Sequence, residues 1–328
     1  VARAAHQLLP SPGRAVVGEV VLAVLLGLVL GNALKLPALL GPGIRFSFTT
    51  VLRTAIVLLG ASFSAQQVAA IGGKAVLMIV VLMAIALVAA HALGRLVGVP
   101  AKLATLIGVG TAVCGNSAII AVAPVIEARD EDVSFAIATN TLFGTLCVFL
   151  YPLIGRALGL SDAAFGTWAG AAVNDTSQVV AAGFAFSESA GQVSTAVKLT
   201  RNALMGPVIV LLGILYARGT GARAHGGFRA RLKQSVPLFV LGFLAMAALN
   251  SLGVLPLLSS LVGRDLARDA QWAARFLILI ALAGVGYSTR IAAMRKAGLK
   301  PLYVGLVVAA ATSAACLLWI RVFGPATG

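Results

Sequence analysis

Long apolar runs separated by short polar connections dominate this chain. Ten stretches, at 16–34, 50–69, 75–97, 101–127, 133–155, 163–187, 191–217, 233–251, 270–295 and 301–323, are long enough to cross the ~30 Å of hydrocarbon in a bilayer. The pattern predicts an all-α membrane protein of about ten transmembrane helices. Two of these runs are interrupted. Residues 108–126 read GVGTAVCGNSAIIAVAPVI, an apolar helix broken by small and polar residues near 110–117. Residues 284–290, GVGYSTR, give the same signal in the other half of the chain. A helix broken at membrane depth frees backbone N–H and C=O groups that lipid cannot satisfy, so protein or a watery cavity must cover them. Paired breaks in two halves of a chain point to a transporter's binding site.

Five runs before Arg156 and five after it insert in opposite senses, which predicts two inverted five-helix repeats, 1–157 and 158–328. Two short matches fit that plan. Gly108–Thr111 parallels Gly284–Tyr287, and Arg53–Ile56 parallels Arg201–Leu204.

Composition agrees with the membrane assignment. Hydrophobic residues make up 60% of the chain and charged residues 11%, and the mean hydropathy is +1.01. The net charge of +15 fits cytoplasmic loops held beside anionic lipid, with no nucleic-acid partner expected. On the ten-span plan Lys35, Arg45, Arg95, Lys102, Arg156, the 218–233 loop and Lys300 share one face, and Lys74, Arg129, Arg264, Arg268 and Arg321 share the other. The first face is the more basic and belongs in the cytoplasm. The chain begins with Val1, which leaves room for an N-terminal extension, and a further helix there would invert this orientation.

Three cysteines and three histidines lie too far apart in sequence for a metal motif, and no nucleophile–base pair is visible. The chemistry expected is therefore not enzymatic, and no metal or cofactor is implied. Ionisable residues inside the spans are the functional candidates. They are Glu19 and Asp175 among acids, and Arg53, Lys198, Arg201 and Arg290 among bases. Cation excess in the bundle points to an anionic substrate. Lys198 and Arg201 lie three apart and share a helix face with Asn202 beside them, a pattern suited to an oxyanion. Arg53, Lys198 and Arg201 could equally sit near helix ends and reach lipid headgroups. The first break offers Thr111, Cys114, Gly115, Asn116 and Ser117 to the same anion, and the second offers Tyr287, Ser288, Thr289 and Arg290. Asn174, Asp175, Thr176, Ser177 and Gln178, with Asn140 and Thr141 in the fifth run, could bind a coupling Na⁺ or carry a coupling H⁺, or could be packing contacts.

Four stretches carry a resemblance: Leu52–Gly60 (LRTAIVLLG), Gly110–Ile119 (GTAVCGNSAI), Val173–Ala181 (VNDTSQVVA) and Lys198–Asn202 (KLTRN). Through them the chain resembles the YeiH-type family of bacterial inner-membrane proteins, which carries a sulfate-exporter label, over nearly its whole length. The resemblance implies the fold of cation/proton antiporters and bile-acid symporters. That fold has two crossed broken helices in a core, here 75–155 and 233–323, against a panel, here 16–69 and 163–217. It also implies a small anionic substrate and, as an option, a homodimer in the bilayer. Asn140 stands where antiporters of that fold carry an acid, which argues against simple Na⁺/H⁺ exchange. The expectation is an ion-coupled exporter of a small, sulfur-containing anion working by alternating access. A passive anion channel or a cation/proton antiporter is the alternative.

Overall fold

The structure, a computed structural model, describes residues 19–33, 37, 40–220, 238–288 and 299–326. Every regular element among them is helical. In chain order they are α1 (Glu19–Ala33), α2 (Gly41–Ser62), α3 (Ala65–Val97), α4 (Ala101–Ala112), α5 (Asn116–Val122), α6 (Asp130–Ala157) and α7 (Asp162–Ala172). There follow α8 (Thr176–Phe186), α9 (Glu188–Ala203), α10 (Met205–Thr220), α11 (Leu238–Ser251), α12 (Val254–Val262), α13 (Leu266–Ser288) and α14 (Leu299–Phe323). Among the described residues six helical segments are long and apolar enough to cross a bilayer, or seven if α11 and α12, bent by 69° at Gly253, form one span.

The expected fourth and sixth spans do not cross. Each folds back on itself as a helical hairpin. At the first, Lys102 Nζ donates to the Glu127 carbonyl at 2.6 Å, which joins the start of α4 to the exit of α5. Thr105 also meets the Tyr216 hydroxyl at 2.7 Å, and Val125 packs beside Gly213, so both arms reach the same end of α10. The reversal needs glycine: Gly115 sits at φ 69°, ψ −131°, a region closed to L side chains, and its N–H bonds the Gly110 carbonyl at 3.1 Å. At the second hairpin Phe165 near the start of α7 stacks on Phe186 at the end of α8, with centroids 4.0 Å apart. Arg156 donates to the Phe186 carbonyl at 3.0 Å. Helix α9 carries this hairpin on its face. Gly166 packs on Val193 and Gly170 on Val197 in a parallel pairing, while Gly183 meets Ser194 and Gly191 in an antiparallel one.

The two hairpins enter from opposite ends. Helix α6, 28 residues and therefore ~42 Å long, leaves the end where the first hairpin opens and finishes where the second opens. Arg129 accordingly joins Lys102 at the first end, and Arg156 lies at the other, the reverse of the expected placement.

The anticipated break near 284–290 is a second correction. Gly284 to Ser288 continue α13 without interruption, and Thr289 and Arg290 lie outside the described residues. The glycines there serve close packing. Gly286 abuts the backbone of Val24, and Gly27 that of Ala283 and Tyr287, so α1 and α13 lie backbone to backbone. The same change regroups the bodies. Helices α3–α10 and α14 pack around the hairpins, whereas α1, α2, α11, α12 and α13 pack mainly with each other and meet the first group where α11 lies on α3 and α1 on α8. The second hairpin and α9 therefore belong to the core, and α11–α13 to the panel.

Hairpin topology is tested by labelling single cysteines with an impermeant maleimide. Leu158→Cys and Ser189→Cys are expected to react from one side of the membrane, and Leu96→Cys and Glu131→Cys from the other. Labelling of positions 158 and 189 from opposite sides would restore a crossing helix.

Candidate functional site

The two hairpin tips carry related sequences. Gly110-Thr-Ala-Val-Cys-Gly-Asn-Ser117 aligns with Gly170-Ala-Ala-Val-Asn-Asp-Thr-Ser177, sixty residues later. Both arms behave alike: α4 ends at Ala112 and α7 at Ala172, and α5 starts at Asn116 and α8 at Thr176. This repeat is the one the fold uses. The weaker match between Gly108–Thr111 and Gly284–Tyr287 has no structural counterpart.

A helix ending inside the protein leaves its last carbonyls without intrahelical partners and its negative dipole end unopposed. Here two such ends converge, and two cations meet them. Lys198 Nζ donates to the carbonyls of Val113 at 2.9 Å, Val173 at 3.1 Å and Asn174. Arg201 donates through Nε to Ala112 at 2.7 Å, through Nη1 to Ala171 at 2.7 Å and Val173 at 3.0 Å, and through Nη2 to Thr111. Lys198 is 0% and Arg201 2% exposed. All three ammonium hydrogens are engaged, as is each guanidinium nitrogen. The anion clamp expected from this pair is therefore replaced by a structural role: Lys198 and Arg201 stitch both tips to α9.

The opposite side of each tip faces open space. A cavity of about 440 Å³ lies between core and panel. The hairpins line it with Asn116, Ser117, Asp175, Thr176, Ser177 and Gln178, and α6 adds Thr141. From the panel, α2 contributes Arg45, Thr49, Leu52, Arg53 and Ile56, spaced to share one helix face, together with Phe48. Phe239 of α11 and Val285 and Ser288 of α13 complete that wall. Arg53 places its guanidinium carbon 5.9 Å from the Phe239 ring centroid. Asp175 caps α8: its Oδ1 accepts from the Ser177 N–H at 3.1 Å and hydroxyl at 3.0 Å, while its own N–H donates to Gln178 Oε1 at 3.3 Å. The Asp175 carboxylate thus caps the first turn of α8 at the edge of a cavity that also holds Arg45 and Arg53.

Asparagines brace the tips from behind. Asn140 Nδ2 donates to Asn116 Oδ1 at 2.9 Å, and Asn116 Nδ2 donates to Thr141 Oγ1 at 3.1 Å. Asn202 Nδ2 donates to Thr176 Oγ1 at 3.1 Å. Oδ1 of both Asn140 and Asn202 is buried without a hydrogen-bond partner. A Cβ at Gly115 would stand 2.9 Å from Asn140 Nδ2 and 3.0 Å from Asp175 Oδ2, so the missing side chain lets these groups approach.

Of the other expected site residues, Thr111 and Asn174 offer only carbonyls, to Arg201 and Lys198 respectively. Cys114 is buried with its Sγ 3.5 Å from Met205 Sδ. Tyr287 lines a separate apolar groove between α1 and α13. Arg45, Phe48 and Phe239 were not anticipated. The spacing Arg45, Thr49, Arg53 along α2 was the available signal, hidden because Arg45 reads as a loop residue. Among the described residues no group of three His, Cys, Asp or Glu side chains could hold a metal ion.

The family described as "Conserved hypothetical protein 698" matches residues 5–305. The chain belongs to the UPF0324 membrane protein family. A UPF0324 member from Agrobacterium fabrum is 37% identical over 95% of this chain and 84% of its own length. Members from Clostridium tetani and Nitratidesulfovibrio vulgaris are each 33% identical, over 89% and 93% of this chain and 86% and 84% of theirs. These names describe UPF0324 proteins as membrane proteins and state no substrate. No solved structure matches the chain. It is a multi-pass membrane protein with a cavity of mixed polarity beside the tips of two helical hairpins.

Removing Arg201 should unfasten both tips. Arg201→Met is expected to cost ~3 kcal/mol or more, because each buried carbonyl left unpaired costs ~1–3 kcal/mol. Arg201→Lys should cost less. Thermal melting of the purified protein in detergent reads both, and a melting temperature equal to wild type in Arg201→Met would refute the structural role.

Proposed function

We propose that this chain is a secondary active transporter that exports a small anion across the bacterial inner membrane by alternating access. The observation that carries the reading is the cavity where tips of opposed hairpins meet Arg45 and Arg53 across the core–panel boundary. On this reading α1, α2 and α3, the first hairpin, α6, the second hairpin, α9 with α10, α11 with α12, α13 and α14 are the ten membrane segments. Eight cross, and the two hairpins, each followed by a crossing helix, form the inverted repeat. The cavity's panel residues lie in the half of the bundle that holds the first hairpin's opening, the end with Arg95 and Lys102. The positive-inside rule favours that end for the cytoplasm, and on this reading the cavity loads from inside.

The anion binds between Arg53 and the hairpin residues Asn116, Ser117, Thr176 and Ser177. An Arg fork gains strength in the low-dielectric cavity. Movement of the core past the panel would carry the tips away from α2 and towards the other face. Asp175 couples that movement to a cation. A proton would use the carboxylate itself. A sodium ion would also use neighbouring oxygens, and Asn140 Oδ1 and Asn202 Oδ1 are buried acceptors still without partners. The sulfate-exporter label of the resembling family fits the sign of the charge.

Arg53→Ala is expected to weaken anion binding tenfold or more while leaving the ligand-free melting temperature unchanged, because the side chain is exposed to the cavity. In proteoliposomes, Asp175→Asn should transport the anion down its own gradient but no longer respond to a pH or Na⁺ gradient. Wild-type affinity in folded Arg53→Ala overturns the site, and wild-type gradient dependence in Asp175→Asn overturns the coupling role.

A further inference from the structure

The cavity has two unlike walls, and their chemistry narrows the substrate class. The hairpin side is polar except for Ile120: Asn116, Ser117, Asp175, Thr176, Ser177 and Gln178 make up the rest of it. The panel side carries Arg45, Arg53 and the hydroxyls of Thr49 and Ser288, and the rest of it is apolar: Phe48, Leu52, Ile56, Phe239 and Val285. From these contrasts, and resting on the anion-transport reading, we infer that the substrate is a short amphiphilic organic monoanion. A sulfonate-type or carboxylate head lies on Arg53 with a hydrocarbon body against Phe239 and Phe48.

Three observations carry this. The first is size. A volume of about 440 Å³ would hold on the order of fifteen waters at ~30 Å³ each, far more than a bare oxyanion of five heavy atoms displaces. Pockets that are largely apolar with a few placed polar groups suit ligands of the same mixed character. The second is the wall. Sulfate presents hydrogen-bond acceptors in every direction, and an oxygen turned towards Phe48, Leu52, Ile56 or Phe239 would exchange water for hydrocarbon with no return. A methylene chain in that place gains free energy by leaving water. The third is charge. Asp175 shares the cavity with Arg45 and Arg53, so a dianion meets repulsion at one end that a monoanion of the same length avoids by placing its uncharged body there. The position of Phe239 links head and tail: its ring centroid is 5.9 Å from the Arg53 guanidinium carbon, so an anion on that guanidinium starts its chain beside the ring.

The test is a titration of the purified protein with sodium methane-, ethane-, propane-, butane- and hexanesulfonate and with sodium sulfate. Ionic strength is matched, and 1-alkanols of the same lengths serve as controls. Affinity from thermal stabilisation or calorimetry is expected to rise with chain length, by up to about fourfold per methylene, the factor equivalent to ~0.8 kcal/mol. Sulfate and the alcohols should bind more weakly than propanesulfonate. Phe239→Ala should flatten the dependence of affinity on chain length, read as the slope of the series and not as the affinity for any one member, and Phe48→Ala provides the same readout if the first variant does not fold. Sulfate binding as tightly as the best sulfonate, or a series without slope, overturns this inference and leaves the anion transporter standing. Alcohols matching the sulfonates overturn the anionic head. Failure of every anion to bind overturns the transport reading as well.

Discussion

The constraint on which this structure depends is the backbone at two helix ends buried at membrane depth. A hairpin that turns inside the bilayer exposes carbonyls at the end of its first arm and N–H groups at the start of its second, and lipid satisfies neither. The chain resolves the carbonyl half of the problem with two cations on a single helix. Lys198 and Arg201 face both tips at once, and each bonds carbonyls from both hairpins. Burying an ammonium and a guanidinium would be prohibitive alone. Here the carbonyl dipoles replace their water, so each group removes the other's penalty. The N–H half is met within the tips themselves, by the Asp175 carboxylate on the Ser177 N–H and by the Gly110 carbonyl on the Gly115 N–H.

That division gives the molecule its two bodies. The core is organised around polar backbone and has to remain rigid to keep those bonds. The panel is organised around small residues: Gly27, Gly31 and Gly286 let α1 and α13 approach backbone to backbone. Glu188 of the core pairs with Arg275 and accepts from Gln271 at 2.8 Å, both on α13.

The walls of that cavity explain why its residues are so dispersed along the chain. The hairpins contribute mostly polar side chains, Asn116, Ser117, Asp175, Thr176, Ser177 and Gln178, and the arginines and phenylalanines come from the panel. A ligand between them touches both bodies, so its binding free energy depends on their relative position, the condition for coupling binding to movement.

Much of this was readable from residue order. Long apolar runs with few charges establish a helical membrane protein, because hydrocarbon leaves little alternative for the backbone. The clusters at 110–117 and 174–178, together with Lys198, Arg201 and Arg53, stood out because polar groups at membrane depth need a reason to be there. The repeat between Gly110–Ser117 and Gly170–Ser177 was also present in the order of residues. The small residues at 284–287 resemble it in composition, but they lie within α13 and serve close packing against α1. Three features waited for the tertiary structure. A broken run reads the same whether it continues across the membrane or turns back, because hydropathy carries no direction. Only contacts such as Lys102 with Glu127 and Phe165 with Phe186 distinguish the two. A buried cation reads the same whether it faces a substrate or a helix end, and the carbonyls around Lys198 and Arg201 decide that. Which panel residues face the tips is set by the packing of helices distant in sequence, so Arg45 and Phe239 joined the site only in three dimensions.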